Sequence, residues 1–374
     1  MTNDARWMAR ALALARRGEG FTRPNPPVGA VVVRRGRVLG EGWHRRAGLP
    51  HAEVEALAAC GGRAAGATLY VTLEPCSTHG RTPPCTDLLV RSGLRRVVAG
   101  CTDPDPRHAG RAFRLLRKAG LDVTVGVRGD ECLRLIEPFA ARLQRGRPFV
   151  TLKLALTLDG RIADRTRASR WITGPASRAR VQALRRRADA ILVGAGTVCA
   201  DDPRLHCRLR GAPSAWRVVL DGRGRTPAHA RILTDPCADT TLLVTSPRCP
   251  AAVRRRWAAN GSRVWVLPAA GGARVNVGTL LRRLAGEGIL HVLCEGGGEV
   301  AGQLLRAGLV DELVLFYAPA LLGDAPARPA VAGVDFLLRR MPRFRIVEVT
   351  RVGDDVLVCA RPVQAANGGR SRRA

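Results

Sequence analysis

Short apolar runs with the two-residue period of strands alternate with longer runs that have helical spacing, and this alternation continues along almost the whole chain. In the first half it predicts helices at 4–17, 52–60, 83–92 and 109–119 and strands at 28–34, 37–44, 67–73, 95–100 and 121–126. Such alternation is typical of layered α/β domains, in which helices cover a sheet.

The pattern is interrupted at Gly146-Arg147-Pro148 and then resumes. The second half predicts helices at 175–187, 278–285 and 298–307 and strands at 149–156, 189–193, 216–221, 241–245, 263–267, 289–294, 311–316, 344–350 and 355–361. A chain of 374 residues is long for one domain. We therefore predict an α/β domain at 1–147, a second α/β domain at 148–361 and a disordered tail at 362–374, which is poor in apolar residues.

The formal net charge of +30 raises the question of nucleic acid binding. Only Lys118 and Lys153 are lysines; the other cations are arginines scattered along the chain, and aromatic residues make up only 4% of it. Few side chains could therefore stack on bases, which disfavours a nucleic acid partner. No apolar run reaches the roughly 20 residues that span a bilayer, and the N-terminal segment lacks the apolar centre of a signal peptide. We expect a cytoplasmic protein without a membrane partner.

The eleven cysteines are an odd number, which disfavours a disulfide framework and leaves metal ligands among the alternatives. His51 and Glu53 stand at a predicted helix start, and Cys76 and Cys85 complete the pattern H-x-E…P-C-x8-C. One imidazole and two thiolates give three zinc ligands and leave the fourth position for water, as a catalytic site requires. Zn²⁺ lowers the pKa of that water, and Glu53 has the spacing to move its proton. Alone, H-x-E would be a solvated helix start; the full ordered pattern favours a zinc site.

This half resembles the zinc-dependent cytidine-deaminase superfamily, whose signature pairs H-x-E with P-C-x-x-C. The longer spacing between Cys76 and Cys85 resembles the deaminase domain of the bifunctional riboflavin-biosynthesis family, diaminohydroxyphosphoribosylaminopyrimidine deaminase / 5-amino-6-(5-phosphoribosylamino)uracil reductase. The segments PNPPVGAVVV, GEGWHRRAGLPHAEVEAL and TDPDPRHAGRA strengthen the resemblance. It implies a cytidine-deaminase-like fold and zinc-hydroxide deamination of 2,5-diamino-6-(5-phosphoribosylamino)pyrimidin-4-one to the aminouracil.

The resemblance also implies substrate contacts by Asn25, His44 and Arg81. Arg81 suits the ribose phosphate because a guanidinium binds phosphate through two hydrogen bonds. An exposed loop charge is the alternative interpretation of Arg81. The family usually has histidine at the position of Thr78, and here His79 is adjacent.

Two glycine-rich turns follow predicted strands of the second half, at 193–197 and at 295–299. Backbone amides at a helix N-terminus bind phosphate, and glycines let the phosphate come close. Tight packing is the alternative reason for these glycines. No G-x-G-x-x-G follows the first strand of this half, so a Rossmann dinucleotide site is not predicted.

The segments KLALTLDGRIA, SRWITGP, VQALRRRADAILVGAGTVCADDPRL, RVVLD, EGGGEVAGQLL and VDELVLFYAPALLG resemble the reductase domain of the same family. This resemblance implies a dihydrofolate-reductase-like α/β fold, bound NADPH and reduction of the ribosyl group to ribityl phosphate. The implied cofactor contacts are Ala155, Trp171, Thr197, Asp201, Gly297, Gly298, Glu299, Val300, Ala301, Gly302 and Gln303. The implied substrate contacts are Ser169, Arg185, Leu205, Arg208 and Glu295, with the phosphate held by Ser169, Arg185 and Arg208.

Asp201 and Lys153 are candidates for the proton transfer that must accompany hydride addition to a ribosylamine. Lys153 is one of two lysines in an arginine-rich chain, which favours a need for a compact, tunable amine. Asp202, next to Asp201, fits a helix or turn cap equally well.

Two rival functions predict different sequence features. A nucleic acid deaminase should have C-x-x-C spacing, stacking aromatics and no reductase half, and this sequence fits none of the three. A scaffold with one inactive half would predict loss of a zinc ligand or of Glu53, and neither is lost. We expect a homo-oligomeric bifunctional enzyme that uses Zn²⁺ and NADPH and acts on small phosphoribosyl pyrimidines.

Overall fold

The computed structural model describes residues 3–79, 83–270, 272 and 274–363. Its contacts divide the chain into two compact units that separate after Pro148, and residues 287–290 group with the first unit. Most of the tail predicted at 362–374 lies outside the described residues, whereas Pro362 is the last residue of a strand. Within the described ranges, no helix has the length and apolarity needed to cross a membrane.

The first unit is a five-stranded sheet with helices on both faces. Its elements are α1 Asn3–Ala15, β1 Gly29–Arg34, β2 Arg37–Trp43, α2 Ala52–Ala59, β3 Thr68–Val71, α3 Cys85–Arg91, β4 Arg96–Ala99, α4 Arg111–Lys118, β5 Asp122–Val125 and α5 Gly129–Arg145. The strand order is β2-β1-β3-β4-β5; β1 is antiparallel to β2 and β3, while β3, β4 and β5 are parallel. Every element predicted for 1–147 is present, with ends within two residues of the prediction.

Strand β1 shows why this sheet is apolar on both sides. Val32 packs in the core beneath α2, α3 and α4, whereas Val31 and Val33 pack against α1 and α5. Successive side chains of a strand point to opposite faces, so a sheet covered by helices on both faces needs a continuous apolar strand.

Helix α5 was not predicted from the sequence. Pro138 lies in its interior, and a proline removes a backbone donor and normally ends or kinks a helix. Tertiary packing outweighs this local penalty, because Cys132, Leu135 and Ile136 are buried in the core that α5 shares with α1.

The second unit is built on a nine-stranded sheet in the order β11-β10-β9-β8-β12-β6-β13-β16-β15, with a separate two-stranded pair β14-β7. Its elements are β6 Phe149–Thr157, β7 Arg161–Ala163, α6 Pro175–Arg187, β8 Ala190–Gly194, α7 Ala195–Asp201, β9 Trp216–Leu220, α8 Arg231–Thr234, β10 Thr241–Thr245, α9 Ala251–Ala259, β11 Arg263–Val266, α10 Val277–Gly286, β12 His291–Cys294, α11 Gly298–Arg306, β13 Glu312–Ala318, β14 Arg328–Pro329, β15 Phe344–Val352 and β16 Asp355–Pro362. The strands from β11 to β13 pair in parallel, and β16 and β15 add antiparallel strands. The sequence missed β7, β14, α7, α8 and α9.

The connections of the second sheet diverge between β8 and β12. After β8 the chain continues outward to β9, β10 and β11; it then returns to place β12 beside β8 and leaves β12 for β13 on the far side of β6. Loops that leave neighbouring parallel strands in opposite directions open a crevice at the carboxyl ends of those strands. One glycine-rich turn follows β8 and the other follows β12.

Two glycines of β2 allow α2 to lie directly on the strand backbone. A Cβ atom at Gly40 would be 2.2 Å from the Ala56 carbonyl oxygen, and one at Gly42 would be 2.5 Å from the Ala52 carbonyl oxygen. No side chain fits in that space. The pair therefore fixes the height of α2, whose first turn carries Glu53, above the sheet.

We expect Gly42→Ala to lower the free energy of unfolding of the first unit by about 1–3 kcal/mol, because the added methyl group overpacks backbone that cannot retreat from the sheet. Urea unfolding of the whole chain, with hydrogen–deuterium exchange read in β2 and α2, measures this loss. Gly286→Ala is the control, because a Cβ there meets no atom within 4 Å. Equal exchange in the two variants would contradict the packing argument.

Candidate functional site

Three predicted metal ligands converge in the first unit. The His51 Nδ1 atom lies 3.6 Å from Cys76 Sγ and 3.4 Å from Cys85 Sγ, and the three donor atoms lie within 4.8 Å of one another. Tetrahedral zinc with ordinary Zn–N and Zn–S bonds places its nitrogen and sulfur ligands roughly 3.6 Å apart. The donor set and its spacing therefore fit Zn²⁺.

Local structure explains this convergence. His51 is the residue before α2, Cys85 is the first residue of α3, and Cys76 lies in the loop that follows β3. The backbone N–H of Cys85 donates to Cys76 Sγ at 3.2 Å. Hydrogen bonds from the Cys85 thiol, from His51 and from this amide outweigh burial and lower the pKa of the Cys76 thiol. The thiolate form that binds metal is favoured.

Glu53 lies beside this cluster without being one of the three donors. Its side chain is 3% exposed and contacts the Cys85 side chain. Burial is the main cause that raises the pKa of its carboxyl group, and nearby His51 partly opposes it. A carboxyl group in such a place can hold a proton beside the metal position.

Two predicted substrate residues of the first unit contact each other. The Asn25 side-chain amide lies 3.1 Å from His44 Nε2, and His44 Nδ1 lies 3.1 Å from the Pro50 carbonyl oxygen. Because that carbonyl can only accept, Nδ1 carries the proton and Nε2 accepts from Asn25; the ring is therefore neutral. Burial lowers the pKa of His44 in agreement. The His44 and His51 rings stand edge to face with centroids 5.3 Å apart, so Asn25 and His44 flank the metal cluster.

Arg81, the third predicted substrate contact of this unit, lies outside the described residues. Thr78 and His79 are the last residues described before that gap.

Glu74 was not predicted from the sequence. Its buried carboxylate accepts backbone N–H groups of Asp103 at 3.1 Å, Gly110 at 2.8 Å and Ala112 at 2.9 Å. It thereby ties the loop that carries Cys76 to the loop after β4. Its position directly before Pro75-Cys76 was visible in the sequence, but its three partners are brought near only by folding.

A cavity of about 1020 Å³ opens in the second unit. It is lined by these predicted residues: Lys153, Ala155, Ser169, Trp171, Arg185, Thr197, Asp201, Leu205, Arg208, Glu295, Gly297, Gly298, Glu299, Val300 and Gln303. Ala301 and Gly302 do not line it. They are buried in α11, where a Cβ at Gly302 would be 2.1 Å from the Ala332 carbonyl oxygen. Close packing is therefore the observed reason for that small residue.

The two glycine-rich turns meet at the floor of this cavity. A Cβ at Gly297 would lie 3.2 Å from Thr197 Oγ1, and one at Gly194 would lie 2.9 Å from a methyl group of Val300. Gly297 also has a φ of +64°, a conformation that glycine adopts without strain. Helix α7 begins after the first turn and helix α11 after the second. Two helix N-termini with little side-chain bulk fit the pyrophosphate of a dinucleotide such as NADPH.

Three charged groups gather beside these turns. Arg185 donates to both carboxylate oxygens of Glu295, at 2.5 Å and 2.9 Å, and to the His206 carbonyl oxygen at 3.1 Å. Burial lowers the pKa of Lys153, and the charge of Glu295 partly opposes this. Arg185 is thus already paired with another predicted substrate residue, which the sequence could not show.

The neighbouring aspartates have different partners. Ser169 Oγ donates to Asp201 Oδ1 at 2.6 Å, so these two predicted residues are in direct contact. Asp202 accepts the backbone N–H and the side-chain Nε of Arg231, both at 2.8 Å. Asp202 therefore caps the start of α8, as its alternative interpretation as a cap describes.

Several arginines that line the cavity were not predicted, among them Arg223 and Arg225. They follow β9, the neighbour of β8 in the sheet. The rule that parallel strands end at one edge could have found them.

We expect Glu74→Gln to lower the free energy of unfolding by about 1–3 kcal/mol, because a side-chain NH₂ group would face a buried backbone donor that has lost its acceptor. Hydrogen–deuterium exchange of residues 101–112, together with urea unfolding, measures the effect. Glu55→Gln is the matched control, since its exposed pair with Arg45 is worth little. Unchanged protection of 101–112 in the Glu74 variant would refute this role.

Two parts of the chain match two different family models. Residues 148–358 match the family model described as the RibD C-terminal domain. Residues 1–101 match the model described as the cytidine and deoxycytidylate deaminase zinc-binding region.

Curated relatives match nearly the whole chain. The riboflavin biosynthesis protein RibD of Bacillus amyloliquefaciens is 40% identical over 97% of this chain and 97% of its own length. The protein of the same name from Escherichia coli K12 is 42% identical over 94% of this chain and 98% of its own length.

Solved structures show the same architecture. Acinetobacter baumannii RibD superposes with a TM-score of 0.84 at 38% identity, covering 96% of this chain and 99% of its own. A diaminohydroxyphosphoribosylaminopyrimidine deaminase/5-amino-6-(5-phosphoribosylamino)uracil reductase from Thermotoga maritima gives 0.84 at 36% identity, with the same coverage. The family model over more than half of the chain and these full-length relatives show that the chain belongs to the RibD family of riboflavin biosynthesis proteins.

Proposed function

We propose that the first unit deaminates 2,5-diamino-6-(5-phosphoribosylamino)pyrimidin-4-one and that the second unit uses NADPH to reduce the ribosyl group of the product to ribityl phosphate. The observation that carries the first step is the Nδ1–Sγ–Sγ cluster with the buried Glu53 carboxyl group beside it. The observation that carries the second is the cavity in which two glycine-rich turns meet Lys153, Asp201 and Glu295.

His51, Cys76 and Cys85 would hold the metal in the first unit. When bound, Zn²⁺ supplies a Lewis acid that lowers the pKa of a water ligand. Glu53 takes a proton at its carboxylate and returns it to the departing amine of the pyrimidine. His44, as a neutral ring held between Asn25 and the Pro50 carbonyl group, orders the wall of the site.

In the second unit, NADPH supplies the hydride when it is bound. The ribosylamine ring must gain a proton as it opens, and Asp201 and Lys153 are the groups positioned to move it. Burial lowers the pKa of the Lys153 amine, so this cation gives up its proton more readily than an exposed lysine. Ser169 holds one oxygen of Asp201 and thereby orients the carboxylate.

The substrate phosphate is assigned to Ser169 and Arg208, with Arg185 behind them. Arg208 is exposed and lines the cavity, so its guanidinium can bind a phosphate. Arg185 holds Glu295 rigidly through two hydrogen bonds. We assign Arg185 to positioning Glu295 and to the positive field at the phosphate.

The rival functions find less support. The zinc-binding region occupies only the first part of the chain, while more than half of it matches a reductase domain. That division favours a pyrimidine enzyme with two activities over a nucleic acid deaminase. The intact metal cluster and the lined cavity favour two active halves over an enzyme with an inactive scaffold.

We also propose a cytoplasmic homo-oligomer. All eleven cysteines are unpaired, which suits a reducing compartment. Strand β15, the last of its sheet, exposes Ile346 and Val349 at 61% each, and a second chain could cover them. Sedimentation of the purified chain tests the assembly; a monomer at micromolar concentration would refute it.

We expect Glu53→Gln to lower ammonia release at least 100-fold, because the amide cannot carry the proton. NADPH oxidation with the deaminated substrate should stay within about twofold of the unchanged protein, since Glu53 lies in the other unit. Zinc content is the control for an intact cluster. Loss of both activities in zinc-loaded variant protein would refute the assignment of two separate sites.

Asp201→Asn should give the opposite result. NADPH oxidation should fall about 100-fold or more, while ammonia release is unchanged. The asparagine oxygen can still accept from Ser169, so local structure is preserved. A variant that oxidises NADPH at the original rate would remove Asp201 from the proton transfer.

A further inference from the structure

Gln182 lines the reductase cavity from helix α6. Only 7% of the residue is exposed, and none of the proposed catalytic steps uses it. Arg185 lies three residues further along the same helix, and residues with this spacing share a helix face. A buried, neutral polar side chain therefore lies beside a residue that is assigned to the substrate phosphate.

The segment that carries Arg208 has no helix or strand of its own and is held against α6. Gln182 Oε1 accepts the backbone N–H of Arg208 at 2.9 Å, and the Gln182 carbonyl oxygen accepts from the Cys207 thiol at 3.3 Å. Arg185 Nη1 donates to the His206 carbonyl oxygen at 3.1 Å. Three consecutive residues are therefore fixed on α6, and the Arg208 side chain starts from an anchored backbone.

The backbone N–H of Arg208 decides the orientation of the Gln182 amide. A backbone N–H can only donate, so the side-chain atom that it contacts must be the oxygen. The NH₂ group, which carries two N–H donors, is left for another partner. It has no hydrogen-bond partner among the described residues, and protein atoms do not enclose it. Two oriented donors therefore face the cavity that Gln182 lines.

Two of the three residues assigned to the phosphate are already engaged. Arg185 donates from Nε and Nη2 to the Glu295 carboxylate and from Nη1 to a backbone carbonyl oxygen. Ser169 donates to Asp201, and a hydroxyl group has only one proton to donate. Phosphate oxygens accept several hydrogen bonds at once. The site therefore needs a further donor next to Arg208, and the NH₂ group of Gln182 supplies it.

We propose that Gln182 is a substrate-binding residue of the reductase: its Nε2 group donates to the phosphate of the phosphoribosyl substrate while its Oε1 atom holds the Arg208 backbone. The amide is neutral, so it gives the phosphate a fixed direction without adding to the positive charge. The inference rests on the proposed reduction of the deaminated substrate. It adds a residue that selects the phosphorylated form and has no part in the proton transfer.

Steady-state NADPH oxidation by the whole, zinc-loaded chain tests this. The deaminated substrate is the reactant, and the same compound after phosphatase treatment is the competing ligand. Gln182→Met keeps the side-chain length but loses both hydrogen bonds. Its KM for the phosphorylated substrate should rise about 10- to 100-fold, as for loss of a hydrogen bond to a charged group. The kcat, the KM for NADPH and the inhibition constant of the dephosphorylated compound should stay within about threefold. Gln144→Met is the matched control, because Gln144 is exposed on α5 and does not line the cavity.

Gln182→Glu separates the two roles of the amide. One glutamate oxygen still accepts from the Arg208 N–H, whereas the other replaces the donor with a negative charge. The KM for the phosphorylated substrate should rise at least as much as in Gln182→Met, with the inhibition constant of the dephosphorylated compound again within about threefold. An unchanged KM in either variant would overturn the inference. Equal losses for the two compounds would also overturn it, because they would indicate a disturbed cavity and no contact with the phosphate. Unchanged protein that does not oxidise NADPH with the deaminated substrate would instead refute the proposed function.

Discussion

Parallel pairing of neighbouring strands is the constraint on which both sites depend. In the first unit β3 and β4 run parallel, so the loop with Cys76 and the loop that Glu74 holds leave the sheet at one edge. In the second unit β8 and β12 run parallel, and their two glycine-rich turns meet. Residues far apart in sequence become neighbours because strand ends do. The helices contribute the remaining site residues: α2 and α3 position His51 and Cys85, and α6 brings Arg185 to Glu295.

The arginines that give the net charge of +30 fall into two groups in this fold. One group of arginines is neutralised by carboxylates, as in the pair of Arg185 with Glu295 and the buried pair of Arg217 with Asp235. Another group lines the reductase cavity, where phosphate-bearing ligands are proposed to bind. A small anionic ligand in a cavity is a sufficient reason for these cations, and no extended stripe for nucleic acid is required.

The sequence was most informative where chemistry restricts residue type. The zinc ligands and Glu53 could be predicted because few residue types bind Zn²⁺ and their order along the chain is distinctive. The buried strands could be predicted because burial on both faces demands apolar runs, as in β1, whereas the short β7 and β14 were missed. Helix α5 could not, because Pro138 argues locally against it and only the buried face containing Ile136 decides the outcome. Contacts such as those of Glu74, or of Arg185 with Glu295, depend on long-range folding and leave no periodic signal.

The central claim is that one chain carries two separate catalytic sites that act in sequence on one phosphoribosyl pyrimidine. The most direct measurement follows ammonia release and NADPH oxidation separately in the same reaction, before and after a chelator removes the metal. With metal present, we expect one ammonia released and one NADPH oxidised per substrate. Without metal, we expect no ammonia from the diamino substrate but continued NADPH oxidation with the deaminated one. If removal of the metal also abolished NADPH oxidation when deaminated substrate is supplied, the claim would be contradicted.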